Sequence, residues 1–196
     1  MRRLPPYHVP RPRLTARCAD HQVVVIEAAA GYGKSTLGAE LVGEWRAVGI
    51  EVPLDHAGIT ASLLVARLHA AVVRVGFTEA AATTAGEDAT AAADAMISAL
   101  SSEPCMFIID DAHDASPDAG ALIDHMATQL VGDQRLLVLA RHLPKGAERL
   151  RRAENLHLSS ADLALTPDET LALCRSGFGL KVGPGTAKVL GLATAG

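Results

Sequence analysis

The run from Val23 to Thr36, Val-Val-Val-Ile-Glu-Ala-Ala-Ala-Gly-Tyr-Gly-Lys-Ser-Thr, constrains the fold more than any other part of the chain. It opens as an apolar strand over 23–27 and passes through a turn carrying Gly31 and Gly33. A helix starting near Lys34 follows, with Leu37, Leu41 and Trp45 at helical spacing and Trp45 as a core or groove anchor. Gly31 and Gly33 let the backbone adopt conformations closed to residues with a Cβ. Successive N–H groups can then converge on one point, at which the following helix aims the positive end of its dipole. Such a turn cradles phosphate. In a nucleoside triphosphate Lys34 would reach the β- and γ-phosphates, Ser35 would place its hydroxyl on Mg²⁺, and Thr36 would lie near the α-phosphate. The strict pattern of such loops has glycine where this chain has Ala28. An extended backbone at that position would accommodate alanine at little cost.

A second run, Met106-Phe-Ile-Ile-Asp-Asp111, reads as a buried apolar strand ending in two carboxylates. Asp110 is placed to hold the Mg²⁺ shell through water, and Asp111 to polarise an attacking water. His113 follows at once and has two readings, a sensor of the nucleotide state beside the carboxylates or a surface or packing residue of the loop. A third apolar run, Arg135 to Ala140, delivers Arg141 to its carboxyl end. Open parallel sheets bind ligands at that edge, so Arg141 is read as a sensor of the γ-phosphate, the alternative being a simple strand-end cap.

Between these runs the chain alternates strand with helix. Ile50 to Leu54, ending in Asp55 and His56, reads as a strand. Residues 60–76 read as an amphipathic helix with Leu63, Leu64, Leu68 and Val72 on one face. The Ala- and Thr-rich stretch 79–90 reads as a mobile connection before a helix ending near Leu100. Ser116-Pro117-Asp118 starts a helix running to about Leu130, and Leu156 to Leu158 form a short edge strand. The Pro-rich opening through Arg13 reads as extended. After residue 161 the pattern becomes helical: Thr166-Pro167-Asp168-Glu169 is a strong helix start, Gly177 and Gly179 a stop, and Gly183-Pro184 opens a last helical segment. The expected division is a nucleotide-binding domain over 1–161 and the beginning of a helical, lid-like domain over 162–196.

Composition narrows the class. With 196 residues, 49% hydrophobic and only 3% aromatic, the core must be built from Ala, Leu, Val and Ile. A formal charge of −4 argues against a dedicated nucleic-acid surface, and the basic clusters (Arg2, Arg3, Arg11, Arg13 and Arg17; Arg149, Arg151 and Arg152) read as solvated faces or nucleotide-side contacts. Cys18, Cys105 and Cys174 are too far apart for a C-x-x-C pair, which fits a reducing, cytoplasmic setting, and the eight histidines show no metal-binding spacing. No apolar run approaches the ~20 residues of a membrane span.

Taken together, Arg11-Pro12-Arg13-Leu14, the loop Ala28 to Thr36, Ile-Ile-Asp-Asp-Ala-His, the Leu-Val-Leu-Ala-Arg strand end and Ala161-Asp-Leu-Ala-Leu-Thr-Pro-Asp-Glu169 resemble the nucleotide-binding domain of large LuxR-type, MalT-like transcriptional regulators, which belong to the STAND class of signal-transduction ATPases. Alanine at position 28 is familiar in that family. In place of an aromatic residue before the Leu-Asp pair of the second strand, this chain has Val52-Pro53. The resemblance implies an α/β P-loop NTPase of the ASCE type, with a parallel sheet of about five strands in the order 5-1-4-3-2 flanked by helices. It implies ATP or ADP and Mg²⁺ as ligands. Phosphate and nucleotide contacts would come from Ala28, Gly31, Tyr32, Gly33, Lys34, Ser35 and Thr36, with Arg11 near adenine and Ser35 and Asp110 at the metal. Asp111, Lys34 and Arg141 would carry slow hydrolysis. The protein would rest with ADP and self-associate with ATP, meeting DNA only through domains that this chain does not contain. The family pattern continues past the position of Gly196, so the chain is expected to be part of a longer one. Two other readings stay open, a small-molecule kinase, which needs a lid with mobile arginines for which Arg149 to Arg152 could be mistaken, and a non-catalytic module in which the nucleotide is only structural.

Overall fold

The three apolar runs become neighbouring central strands of one sheet. A computed structural model describes residues 4–79 and 88–194. Its strands are β1 (Val23–Glu27), β2 (Val48–Pro53), β3 (Cys105–Asp110), β4 (Arg135–Ala140) and β5 (Leu156–Ser159), all parallel in the order β2-β3-β4-β1-β5. Read from the other edge this is 5-1-4-3-2, the expected order. β3 is buried along its whole length and β4 nearly so, as strands covered on both faces must be. The edge strands β2 and β5 mix buried with open positions.

Helices cover both faces: α1 (Pro12–Cys18), α2 (Lys34–Glu44), α3 (Ala61–Arg74), α4 (Ala89–Ala99) and α5 (Pro117–Gln129). The two-residue period of the strands sorts side chains between two cores. Val23, Val25, Phe107, Ile109, Leu136 and Val138 pack with α3, α4 and α5. Val24, Ile26, Met106, Ile108, Leu137 and Leu139 pack with α1 and α2. Trp45 leans on the second core and carries the Arg135 guanidinium 4.1 Å above its ring, as an anchor would. After β5 come α6 (Ser160–Leu163), α7 (Pro167–Ala172), a π-helical turn over Leu173–Gly177, and α8 (Pro184–Thr194). Among the described residues no helix is long and apolar enough to cross a membrane.

Registration aligns the carboxyl ends of the strands. Glu27 pairs with Ala140, and Pro53 with Asp110, so the residues that follow leave from one edge. The outer edge of β2 is closed by side chains from α3. Arg74 donates to the Glu51 carbonyl at 2.8 Å, Arg67 donates to the Pro53 carbonyl, and Pro53 itself has no N–H to offer a further strand.

Several expectations are corrected. The opening is not extended through Arg13, because α1 begins at Pro12; proline suits the first helical position, where its missing N–H has no partner in any case. The second strand begins two residues earlier than read and ends at Pro53. Leu63 does not share the inward face of α3. It is 37% exposed, whereas Leu64, Leu68, Ala71 and Val72 are buried, since Leu63 lies one helical step away from that stripe. β3 ends at Asp110, leaving Asp111 outside the ladder. Most of the stretch read as a mobile connection, including Gly86, lies outside the described residues.

Candidate functional site

The turn after β1 takes the shape its glycines allow. Gly31 has φ 91° and Gly33, at the start of α2, has φ 73°, both in the left-handed region where a side chain is strained. Ala28 has no such conformation. It is buried, its N–H bonds to the Ala140 carbonyl at 3.0 Å, and alanine therefore meets no backbone penalty there. Ala28 lies behind the loop and not in its cavity; its carbonyl, with that of Ala29, accepts from Lys34 Nζ at 2.8 and 2.9 Å. Burial pushes the Lys34 ammonium below its ordinary range, while the charges of Asp111 and Asp110 act in the opposite sense.

Strand order then brings the acidic run beside the loop. Ser35 Oγ donates to Asp110 Oδ2 at 3.1 Å, although 75 positions separate them, and Asp110 Oδ1 accepts the Asp111 N–H at 3.0 Å. A hydroxyl and a carboxylate are hard oxygen donors, and the two in contact beside a phosphate cradle fit Mg²⁺, which Ser35 would hold directly and Asp110 through water. Among the described residues no group of three or more His, Cys, Asp or Glu converges as a separate metal cage.

Asp111 adopts φ 57° and ψ 38°, a left-handed conformation costing a non-glycine residue about 1 kcal/mol. This turns its half-exposed carboxylate out of the strand line and into the cleft. His113 is held behind it, 9% exposed, with a buried Nδ1 that has no hydrogen-bond partner and lies 4.0 Å from Asp111 Oδ1. Its ring meets His142 edge-on at 5.7 Å between centroids. His142 follows Arg141, so the imidazole pair joins the turn after β3 to the turn after β4. Nothing in the sequence singled out His142, because the contact depends on β3 and β4 being neighbours.

Ala30, Gly31, Gly33, Lys34, Ser35, Thr36, Asp110, Asp111 and Arg141 line one open cavity of about 450 Å³. A second cavity, of about 300 Å³, adjoins it and shares Gly31, Gly33 and Thr36. Its walls are more apolar: Pro5, Tyr7, His8, Val9 and Arg11 before α1, Tyr32 of the loop, and Leu163, Leu165 and Leu173 from the segment after β5. Tyr7 stacks on Phe178 at 5.5 Å. Tyr7, His8 and these leucines were not among the expected site residues; for Tyr7 and His8 the available signal was an aromatic and a histidine set among prolines, and Leu163 and Leu165 lay in the Ala161–Glu169 motif without a site role. Arg11 is nearly fully buried. Its N–H donates to Glu40 Oε1 at 2.7 Å and its guanidinium to the Gly33 carbonyl at 3.2 Å. Burial lowers its pKa from the ordinary value, with Glu40 and Glu169 countering.

The second basic cluster lines neither cavity. Arg149 lies 3.8 Å from Asp124, Arg151 3.2 Å from Glu27 and Arg152 3.7 Å from Glu154, each against an acid. Cys18, Cys105 and Cys174 are buried free thiols, and burial raises Cys18 to about 11 and Cys105 to about 12.

No family model matches the chain, and no curated protein sequence does. Solved structures do. A signal transduction ATPase with numerous domains (STAND) carrying a tetratricopeptide repeat sensor, from Pyrococcus horikoshii, superposes with a TM-score of 0.69 at 19% identity, over 93% of this chain and 27% of that one. A Walker-type ATPase of Pyrococcus abyssi superposes with a TM-score of 0.55 at 12% identity, over 91% of this chain and 60% of that one. The chain thus spans about a quarter of the first protein and three fifths of the second. Its five-stranded parallel sheet, in that strand order and flanked by helices, has the fold of the P-loop ATPases.

Proposed function

We propose that this chain is the ATP-binding, slowly hydrolysing switch module of a signal-responsive transcriptional regulator of the LuxR-type, MalT-like kind, with ADP at rest and ATP when active. The observation that carries nucleotide binding is the single cleft in which Lys34, the Ser35–Asp110 pair, Asp111 and Arg141 meet at the carboxyl edge of the sheet. The regulatory part rests on the ordered motifs of the sequence, and the STAND likeness of the fold supports it. In this reading the backbone of Gly31 to Thr36 and Lys34 hold the phosphates, Ser35 and Asp110 hold Mg²⁺, and the smaller cavity takes the base. Mg²⁺ supplies charge neutralisation on the phosphates. Asp111 orients and polarises water, and Arg141 meets the charge on the terminal phosphate. Residues 162–196 form the start of a lid-like helical domain, and self-association and DNA contact involve the ATP state and further domains.

The test is to purify the protein without added nucleotide, denature it, and identify what is released, with Lys34→Ala alongside. Near-stoichiometric ADP from the wild type and none from the variant is the expected result. A wild type that is empty and does not bind added ATP would overturn the reading. Phosphate appearing on an added metabolite instead of free in solution would replace the switch with a kinase.

A further inference from the structure

Arg11 and Arg13 flank Pro12 and bond to two different segments that contribute to the smaller cavity. Arg11 reaches the loop at Gly33. Arg13 turns to the segment after β5 and makes four bonds there: Nη1 to the Asp162 carbonyl at 2.7 Å, Nη2 to the Ala164 carbonyl at 2.7 Å, and Nε and Nη2 to the two oxygens of Glu169 at 2.9 and 3.0 Å. Asp162 and Ala164 bracket Leu163, and Leu165 follows directly. Leu163 and Leu165 line the cavity together with Tyr32 and Thr36. Glu169 also accepts the Thr166 N–H at 2.8 Å, so its carboxylate closes the chain between Leu165 and α7. Arg17 adds one bond to Asp162 Oδ1 at 2.7 Å.

Each end of the wall has its own local device, a Ser159–Asp162 capping box at α6 and a Thr166–Glu169 box at α7, and Leu163 is buried in the second core, while Arg13 bonds to both ends at once. α6 has four residues, too few for a helix to be stable by itself, and the chain from Ala164 to Thr166 is irregular. A planar guanidinium with a fixed fork of donors can span two carbonyls and a carboxylate at once, which the point charge of a lysine cannot.

We propose that Arg13 is a positioning residue of the nucleotide site, holding the Leu163–Leu165 wall at the spacing that receives the base while touching no part of the nucleotide. The proposal rests on the reading of the smaller cavity as the base pocket. Without the clamp, the wall samples arrangements in which the pocket is not formed, and apparent affinity falls by the fraction of molecules still competent. The phosphate cradle, held by glycine conformations, Lys34 and Arg11, keeps its form.

The experiment is isothermal titration of the 196-residue chain with MgADP and with Mg²⁺ pyrophosphate, which is the same phosphate pair without adenosine, using wild type, Arg13→Ala and Arg13→Lys. The expected result for Arg13→Ala is a loss of about tenfold or more in MgADP affinity with pyrophosphate affinity unchanged within about twofold. Retained pyrophosphate binding also establishes that the variant is folded. Arg13→Lys keeps the charge and is expected to behave like Arg13→Ala. Equal losses for both ligands, no loss for either, or full recovery by lysine would overturn the positioning role. If wild type bound pyrophosphate as tightly as ADP, the base-pocket reading itself would fall and the inference with it, and the wild-type arm alone would reveal this.

Discussion

Each residue of the loop and the acidic turn carries a distinct physical burden. Lys34 is buried against two loop carbonyls and, in the proposed site, exchanges them for phosphate oxygens. Lys34→Ala should weaken ADP and ATP binding by roughly ten- to a hundredfold, the worth of one or two charge-assisted hydrogen bonds, as checked by titration calorimetry. Asp111 offers a cleaner separation of binding from chemistry. Asparagine tolerates the left-handed region, so Asp111→Asn keeps the turn at φ 57° and removes only the charge. The expected outcome is unchanged nucleotide affinity with phosphate release slowed by about 10²–10⁴-fold in single-turnover assays. The role of Asp111 was readable from two adjacent carboxylates after an apolar run, but its conformation was not. A strand end in sequence does not say whether the next residue continues the ladder or turns back, and the turn here is secured by bonds to Asp110 and within the Ala112–Asp114 3₁₀ turn.

Elements meet by surfaces that propensity does not describe. α5 was legible from Ser116-Pro117-Asp118, yet its packing on the loop 144–146 depends on two glycines, Gly120 in the helix and Gly146 in the loop. A Cβ on Gly120 would stand 2.1 Å from the Lys145 carbonyl oxygen, and one on Gly146, already at φ 89°, 2.3 Å from the Pro117 carbonyl oxygen. Gly120→Ala favours the helix intrinsically by about 1 kcal/mol, so propensity alone would call it stabilising. The backbone contact reverses the sign. We expect a net loss of about 2 kcal/mol in chemical denaturation, since helix and loop must separate and neither clashing atom sits on a movable side chain. α1 shows the same limit from the other side. The Pro-rich opening through Arg13 read as extended, and the arginines as a solvated face or nucleotide-side contacts, whereas Leu14 and Cys18 of α1 are buried in the core with α2 and Arg11, Arg13 and Arg17 are bonded to distant segments.

Across the whole molecule, ion pairs join the N-terminal segment to the helices after β5. The Ser159 hydroxyl and the Arg17 guanidinium hold the Asp162 carboxyl down at about 2. An unfolded aspartate titrates near 4, so this stabilisation is complete above about pH 4 and is lost as pH falls toward 2. Denaturation midpoints measured from pH 5 to pH 2 should decline less steeply in Asp162→Asn than in wild type. The gap is worth about 1 kcal/mol at pH 5, because solvent screens a pair this exposed, and it should close by about pH 2. A constant gap across that range would assign the destabilisation to lost packing and not to charge.

What the chain states locally is what short-range physics governs. Apolar runs of strand length named β1, β3 and β4, helix starts were marked by Thr166-Pro167 and Ser116-Pro117, and the glycine turn with Lys34, Ser35 and Thr36 named the cradle. These depend on steric limits and periodicity within a few residues. Tertiary structure decided which groups face one another across the sequence: Ser35 with Asp110, His113 with His142, and Arg13 with Glu169 over 156 positions. It also made a cavity wall from the opening segment and from leucines after β5. Such pairings follow from strand order and from the burial of two separate faces, and both are properties of the packed sheet that no local window of the chain contains.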